Sequence, residues 1–321
     1  MPTELTRRAA LALALAAAPA LAWAFPEKPV TLVIPFAAGG STDVVGRIVA
    51  ERMAAELGQQ VVVENVGGAG GSLGAGQAAR AAPDGYTMLM GTVATHALNP
   101  LILAQKPYDP VEDFEPVSLL ALVPNVLAVN PALPVTTVQE LIDLAKKEPG
   151  TLAYASSGNG TPLHLSGELF KFMAGIEIEH VPYQGSGPAL TDVLGNQVPI
   201  IFDNLPSASG HIASGGLRAL GVTTAERAPS FPDVPAIAET LPGYETYTWN
   251  ALFVPKGTPP EAVARLNAAA VAAMADPAVA ERMKEFSAQI VGSTPEALAA
   301  HVQEEIARWT PIVEEAGIKA Q

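Results

Sequence analysis

Two stretches of this chain repeat one arrangement, and that arrangement restricts the fold more than anything else in the sequence. Val30–Phe36 is an unbroken apolar run, followed by Ala37-Ala38-Gly39-Gly40 and then Ser41-Thr42-Asp43. Thr151–Ala155 is a second apolar run, followed by Ser156-Ser157-Gly158-Asn159-Gly160 and then Thr161-Pro162. An apolar run without polar alternation suits a strand buried on both faces. A glycine loop then a capping residue marks the entry to a helix. The start of a helix leaves backbone N–H groups unpaired and carries partial positive charge. Glycine lets a ligand reach those groups. Two such devices far apart in sequence suit a cleft that grips an anion from both sides.

The rest of the chain continues the alternation. After Val30–Phe36 the pattern predicts a helix over Asp43–Leu57, ended by Gly58, then strand Gln60–Glu64, helix Ser72–Ala81 and strand Tyr86–Gly91. A long apolar segment, Val117–Asn130, is interrupted by Pro124. A helix follows from Thr137 to Lys147, with Glu140 in capping-box position. The second half predicts strand Leu152–Ala155 and helix Pro162–Ala174, its buried stripe formed by Leu165, Leu169 and Phe172. Strand Glu179–Pro182, helix Pro188–Leu194, strand Val198–Phe202, helix Ser207–Ser214, strand Leu217–Thr223 and strand Trp249–Val254 come next. Helices Pro260–Ala275, Ala278–Ser287 and Pro295–Ala316 close the chain. Strands separated by single helices predict βαβ units and a mainly parallel sheet. The expected division is two α/β domains. The first takes residues 25–124 plus the returning segment 249–321, and the second takes residues 125–248.

The first 24 residues stand apart. Arg7 and Arg8 precede an apolar run from Ala9 to Leu21 and the small-x-small triplet Ala22-Trp23-Ala24. This reads as a secretory signal peptide, too short for a membrane span, with cleavage after Ala24. The Arg pair also fits a twin-arginine signal, so the export route stays open. The chain has no cysteine, which excludes disulfides, thiolate chemistry and Cys-based metal sites. Its formal net charge of −14 argues against a nucleic-acid partner.

Neither glycine loop contains Lys or Arg; the nearest are Arg47 and Lys171, each well inside its helix. An anion held there relies on N–H groups, hydroxyls, helix dipoles and water, which suits a carboxylate. Gly67–Gly76 is glycine-rich but lacks the Gly-Lys-Ser/Thr ending of a P-loop and the dinucleotide spacing. Gly70-Gly71-Ser72-Leu73-Gly74 matches the nucleophile-elbow pattern, so a serine hydrolase using Ser72 is the competing reading. The five histidines are not paired at metal-ligand spacing, and no metal or cofactor is expected. His164 either contacts a ligand or closes its helix cap, and His96 follows a strand end as a loop ligand would. Asp203 either faces the cleft, where it would welcome an ammonium, or caps a turn. Ser186 is expected to cap a helix, and Trp249 to be core.

At this point the residues resemble those of the Bug-type periplasmic receptors of tripartite tricarboxylate transporters. The matching motifs are Pro35–Asp43, Val63-Glu64-Asn65, Ala82–Thr87, Ser156–Thr161 with His164, and Val181-Pro182-Tyr183 with Pro188-Ala189-Leu190. Phe202-Asp203-Asn204, Leu217–Leu220 and Pro255–Pro259 complete the set, which spans the chain beyond its first 24 residues in order. The resemblance implies a two-domain Venus-flytrap fold of the type II periplasmic binding class, with the ligand between the domains. It implies a non-enzymatic, monomeric receptor that delivers a small carboxylate to membrane components of such a transporter; an orphan receptor used in sensing is also compatible. The carboxylate would be held by the loops Phe36–Asp43 and Ser156–Thr161, partly through ordered water. The expected ligand set is Phe36, Ala38, Gly39, Gly40, Ser41, Thr42 and Asp43, then Thr92 and His96. Ser156, Ser157, Gly158, Gly160, Thr161, His164, Tyr183, Gln184 and Asp203 complete it. Similar proteins often carry Asn where this chain has Ser72, which argues against a catalytic serine.

Overall fold

The computed structural model describes residues 25–285 and 287–315. The proposed signal peptide and the last six residues lie outside the described residues. The elements run β1 (Val30–Ile34), α1 (Ser41–Leu57), β2 (Val61–Asn65), α2 (Ser72–Ala79), β3 (Thr87–Thr92), α3 (Asn99–Ile102) and β4 (Phe114–Val129). Next come α4 (Val138–Lys147), β5 (Ala153–Ser156), α5 (Pro162–Ala174), β6 (Glu179–Pro182), α6 (Ser186–Leu194), β7 (Ile200–Asn204), α7 (Leu205–Ala213) and β8 (Arg218–Val222). The chain closes with β9 (Tyr247–Pro255), α8 (Pro260–Ala275), α9 (Pro277–Lys284), β10 (Gln289–Ile290) and α10 (Pro295–Glu315).

Strand order is β2-β1-β3-β9-β4-β7-β5-β6, with β8 and β10 also paired to β4. Two parallel sets, β2-β1-β3 and β6-β5-β7, sit at the two ends, as βαβ units require. The middle is antiparallel, because β9 and β4 pair with each other and with their neighbours in opposite directions. The sheet is therefore mixed where a mainly parallel one was expected. The reason is that two long strands carry the chain between two sheet units.

β4 is the joint. Its residues up to Pro124 pair with β9, and from Asn125 onward they pair with β7 and β8. Pro124 does not interrupt the strand as expected. It stands opposite Tyr247 at the last β9 pair, where the ladder changes partner and a missing N–H is tolerated.

Each sheet unit is a three-layer sandwich. In the first, Leu32 and Ile34 of β1 face α1 and α8 through Val45, Val49, Met53, Leu266 and Ala270. Val33 faces the other way, toward α2 and α10, with Ala75, Leu298 and Trp309. Trp249 is fully buried there, and its Nε1 donates to Glu305 of α10 at 3.0 Å. In the second unit, α4 and α5 cover one face and α6 the other. Phe172 departs from its expected place in the buried stripe of α5: it is 84% exposed. Phe170 is buried instead, against Phe202 and Tyr244 at ring distances of 5.8 and 6.4 Å. Packing against these rings, not the spacing of Leu165 and Leu169, sets which face of the helix turns inward.

Candidate functional site

β1 and β5 both end where the two lobes meet, so both glycine loops emerge there. In the first loop, Gly39 takes φ 81°, a backbone that only glycine adopts easily, and its N–H donates to Asp43 Oδ2 at 3.0 Å. Asp43 Oδ1 accepts from Arg47 Nε at 2.9 Å and from Asn65 Nδ2 at 3.0 Å, and Asn65 also donates to the Phe36 carbonyl. Burial works against ionisation of Asp43, but the bonds from Arg47, Gly39 and Asn65 outweigh it and hold its carboxyl below the usual value. Asp43 therefore faces its own loop as a brace. The Gly40 cap of α1 makes no side-chain bond, so the N–H groups of its first turn are offered outward.

The second loop is braced by histidines. Ser156 Oγ accepts from Gly158 N–H at 3.1 Å and lies 2.6 Å from His180 Nε2. Gly160 N–H donates to His164 Nδ1 at 3.1 Å, and Thr161 Oγ1 accepts from His164 N–H at 3.3 Å. The Nδ1 and the backbone N–H of His164 therefore both serve the loop. The two imidazoles stack at 4.0 Å. Burial lowers the pKa of both, that of His180 to about 3 with help from His164 and Lys171. His164 Nδ1, which accepts from Gly160 N–H, carries no proton.

Between the loops lies a narrow cavity lined by Phe36, Gly40, Ser41, Thr42, Thr92, Ser157, Pro162, Leu163, Ser186, Asn204 and Thr248. Among the described residues no charged side chain lines it. Of the predicted set, Phe36, Gly40, Ser41, Thr42, Thr92 and Ser157 come together there. Ala38, Gly39 and Gln184 lie where the lobes touch: the Gln184 carbonyl accepts from Ala37 N–H at 3.1 Å, and Gly39 faces Gly187. Gly158 packs beside Gly70 of the opposite lobe. Ser156, Thr161 and His164 brace the second loop through bonds within it, and Gly160 faces Ile102 and Asn99 of the other lobe. The Tyr183 hydroxyl donates to Asp192 at 2.7 Å.

Asp203 is fully buried and accepts from the hydroxyls of Ser186 and Ser207. Burial pushes its carboxyl up to about 6. It lies outside the cavity lining, and its carboxyl also accepts from the Asn204 N–H. Ser186 is the first residue of α6 after its Gly185 cap, and its hydroxyl serves Asp203 instead of the helix end. His96 is fully buried and stacks on Phe253 at 3.6 Å, on the opposite face of the first sheet from Thr92. Ser72 is buried, and its Oγ accepts from Asn99 at 2.9 Å; among the described residues no hydrogen bond joins it to a histidine.

Sequence reasoning left Pro162, Leu163, Ser186, Asn204 and Thr248 out of the ligand set. Pro162 and Leu163 were findable, because they form the helical turn that the second glycine loop opens. Nothing local marks Thr248; it reaches the cavity because β9 crosses between the lobes.

Two α/β lobes joined by crossing strands, with a neutral donor-lined cavity where they meet, define a periplasmic-binding-protein fold. The sequence profile of the tripartite tricarboxylate transporter family receptor matches residues 45–318. Protein BugT of Bordetella pertussis is 39% identical over 311 residues, covering 96% of this chain and 95% of that protein. R. palustris Rpa4515, solved with adipate, is 42% identical with a TM-score of 0.89, covering 92% and 99%. MatC of Rhodopseudomonas palustris, solved with bound malate, is 36% identical with a TM-score of 0.86, covering 90% and 100%. The chain belongs to the tripartite tricarboxylate transporter receptor family, among its Bug-type members.

Proposed function

We propose that this chain captures a small organic acid in the periplasm and presents it to the membrane components of a tripartite tricarboxylate transporter. The observation that carries this reading is the cavity between the two glycine loops. The open end of α1 meets neutral hydroxyls and amides there, and among the described residues no cationic side chain lines the cavity. Relatives solved with adipate and malate support a carboxylate. The position of Asp203 behind Ser186 favours an acid without an ammonium, since among the described residues no acidic side chain lines the cavity.

The receptor works as a monomer without catalysis. Residues 25–124 and 249–321 form one domain and residues 125–248 the other, a division supported by the change of strand partners at Pro124 and Asn125. Export precedes removal of residues 1–24. Ligand that touches both lobes stabilises the arrangement in which they meet, and that arrangement is what the membrane components read.

A thermal-shift screen of organic acids tests the reading. Ligand at a hundredfold above Kd stabilises by about 2.7 kcal/mol, which raises Tm by roughly 5 °C in a chain of this size. No shift with any carboxylate, alongside a shift with another ligand class, refutes it.

A further inference from the structure

Among the buried polar groups, Asn250 is the one whose whole amide is unaccounted for. It is fully buried, and neither its Nδ2 nor its Oδ1 has a hydrogen-bond partner among the described residues. A buried polar atom left in that condition keeps its full desolvation penalty, and here both ends of one amide do.

Its place in the fold explains what the amide is for. Asn250 stands directly opposite Thr92 in the β3–β9 ladder, so the two side chains share one face of the sheet. Thr92 lines the cavity, and its Oγ1 is also buried without a partner. Thr248, two residues along β9 and on the same face, lines the cavity too. The other unpartnered hydroxyl at the site belongs to Ser41, at the open start of α1. Two other polar side chains of the lining are engaged within the protein: Asn204 Nδ2 donates to Asn125 and Thr248, and Ser186 donates to Asp203. Fully buried polar atoms without a partner thus occur at Ser41 and Thr92 of the cavity lining and at Asn250 beside Thr92.

We propose that Asn250 is a specificity-determining residue, and that it reads a hydroxyl on the captured acid; this rests on the carboxylate reading above. The α1 end and Ser41 take the carboxylate, whose oxygens only accept. Asn250 offers one donor and one acceptor on the same planar amide. A ligand ammonium would use only Oδ1 and leave Nδ2 bare. A second ionised carboxylate would use only Nδ2. A hydroxyl donates to Oδ1 and accepts from Nδ2, or does one of these while Thr92 does the other. A buried site built to bond a hydroxyl discriminates strongly against the analogue lacking it, because its own groups are then left unpaired.

Calorimetric titration of the wild-type chain and of Asn250→Leu with malate, succinate and aspartate tests the proposal. These acids share a four-carbon diacid frame and differ by hydroxyl, hydrogen and ammonium at one carbon. A parallel pair, lactate and propionate, covers a smaller frame. The expected result is that wild type binds the hydroxy acid of a pair at least tenfold more tightly than its bare analogue. Asn250→Leu abolishes that ratio while keeping affinity for the bare acid. Asn250→Asp, which lacks the donor, lowers hydroxy-acid affinity with the fold intact by circular dichroism. Equal affinity for hydroxy and bare acids in wild type, or an unchanged ratio in Asn250→Leu, overturns the proposal and leaves carboxylate capture standing. Failure of every carboxylate to bind wild type overturns both.

Discussion

Replacing Gly187 by alanine separates folding from closure. Gly187 is the second residue of α6 in one lobe, and the carbonyl of Ala38 faces it from the first glycine loop of the other. A Cβ built on Gly187 falls under 3.0 Å from that oxygen, closer than real Cβ contacts essentially ever stand. Ordinary contact begins at 3.4 Å, so the lobes must part by more than about 0.4 Å at a point where both sides are backbone and neither can rotate away. Overpacking of this kind costs about 1–3 kcal/mol. Charged to closure alone, it weakens ligand binding roughly 5- to 150-fold. The fold itself gains, because the Gly187 backbone is not in the left-handed region and alanine favours a helix over glycine by up to about 1 kcal/mol. Gly210→Ala in α7 is the control, since nothing lies within 4 Å of its added methyl. The assay is calorimetric titration with the acid that gives wild type the largest thermal shift, beside urea unfolding without ligand. Weaker binding at equal or higher stability is expected for Gly187→Ala, and unchanged binding for Gly210→Ala. Wild-type affinity in Gly187→Ala refutes the reasoning and means that the ligand-bound lobes stand further apart at this point than they do here.

Glu305 anchors the returning helix α10 to β9. It is buried and accepts from Trp249 Nε1 and the Tyr247 hydroxyl, both at 3.0 Å. Glu305→Ala leaves these donors unpaired and lowers unfolding stability by about 2–4 kcal/mol, read as a shift in the urea midpoint. The histidine brace makes the second loop acid-sensitive. The His180 pKa is about 3 in the fold against an ordinary 6.5, so its contribution is complete above pH 6.5 and drains away as pH falls toward 3. Asp203 pulls the other way: its folded value is about 6 against an ordinary 3.8, so its burial costs stability progressively as pH rises from 4 to 6. In His180→Asn the loss of stability between pH 7 and pH 4 is smaller than in wild type, as measured by unfolding at each pH. An equal loss in the two proteins refutes the assignment.

Much of the candidate site was legible because glycine loops, caps and the absence of Lys and Arg from those loops are local properties. Gly39, Gly40, Ser41 and Thr161 announce helix starts through their own backbone preferences and hydroxyls, whatever surrounds them. The same local logic misplaced His96 and Phe172. A strand-end loop residue can face either side of its sheet, and a helical apolar residue turns inward only where a partner such as Phe202 exists. Asp203 was undecidable for a like reason, since its bonding partners, Ser186 and Ser207, come from two separate helices.

The sequence by itself therefore determined the alternation of strands and helices, the two anion-ready helix starts and the neutral chemistry between them. All of these follow from short-range sterics, patterning and composition. Only the tertiary structure decided that β4 runs unbroken through Pro124, and that Thr248 and Asn250 arrive beside Thr92. It also decided that Asp43, His164 and Asp203 hold loops and helices in place. Which face a residue presents, and to whom, depends on contacts between separate elements, some of them, like Thr92 and Asn250, more than a hundred residues apart, and no local pattern encodes those.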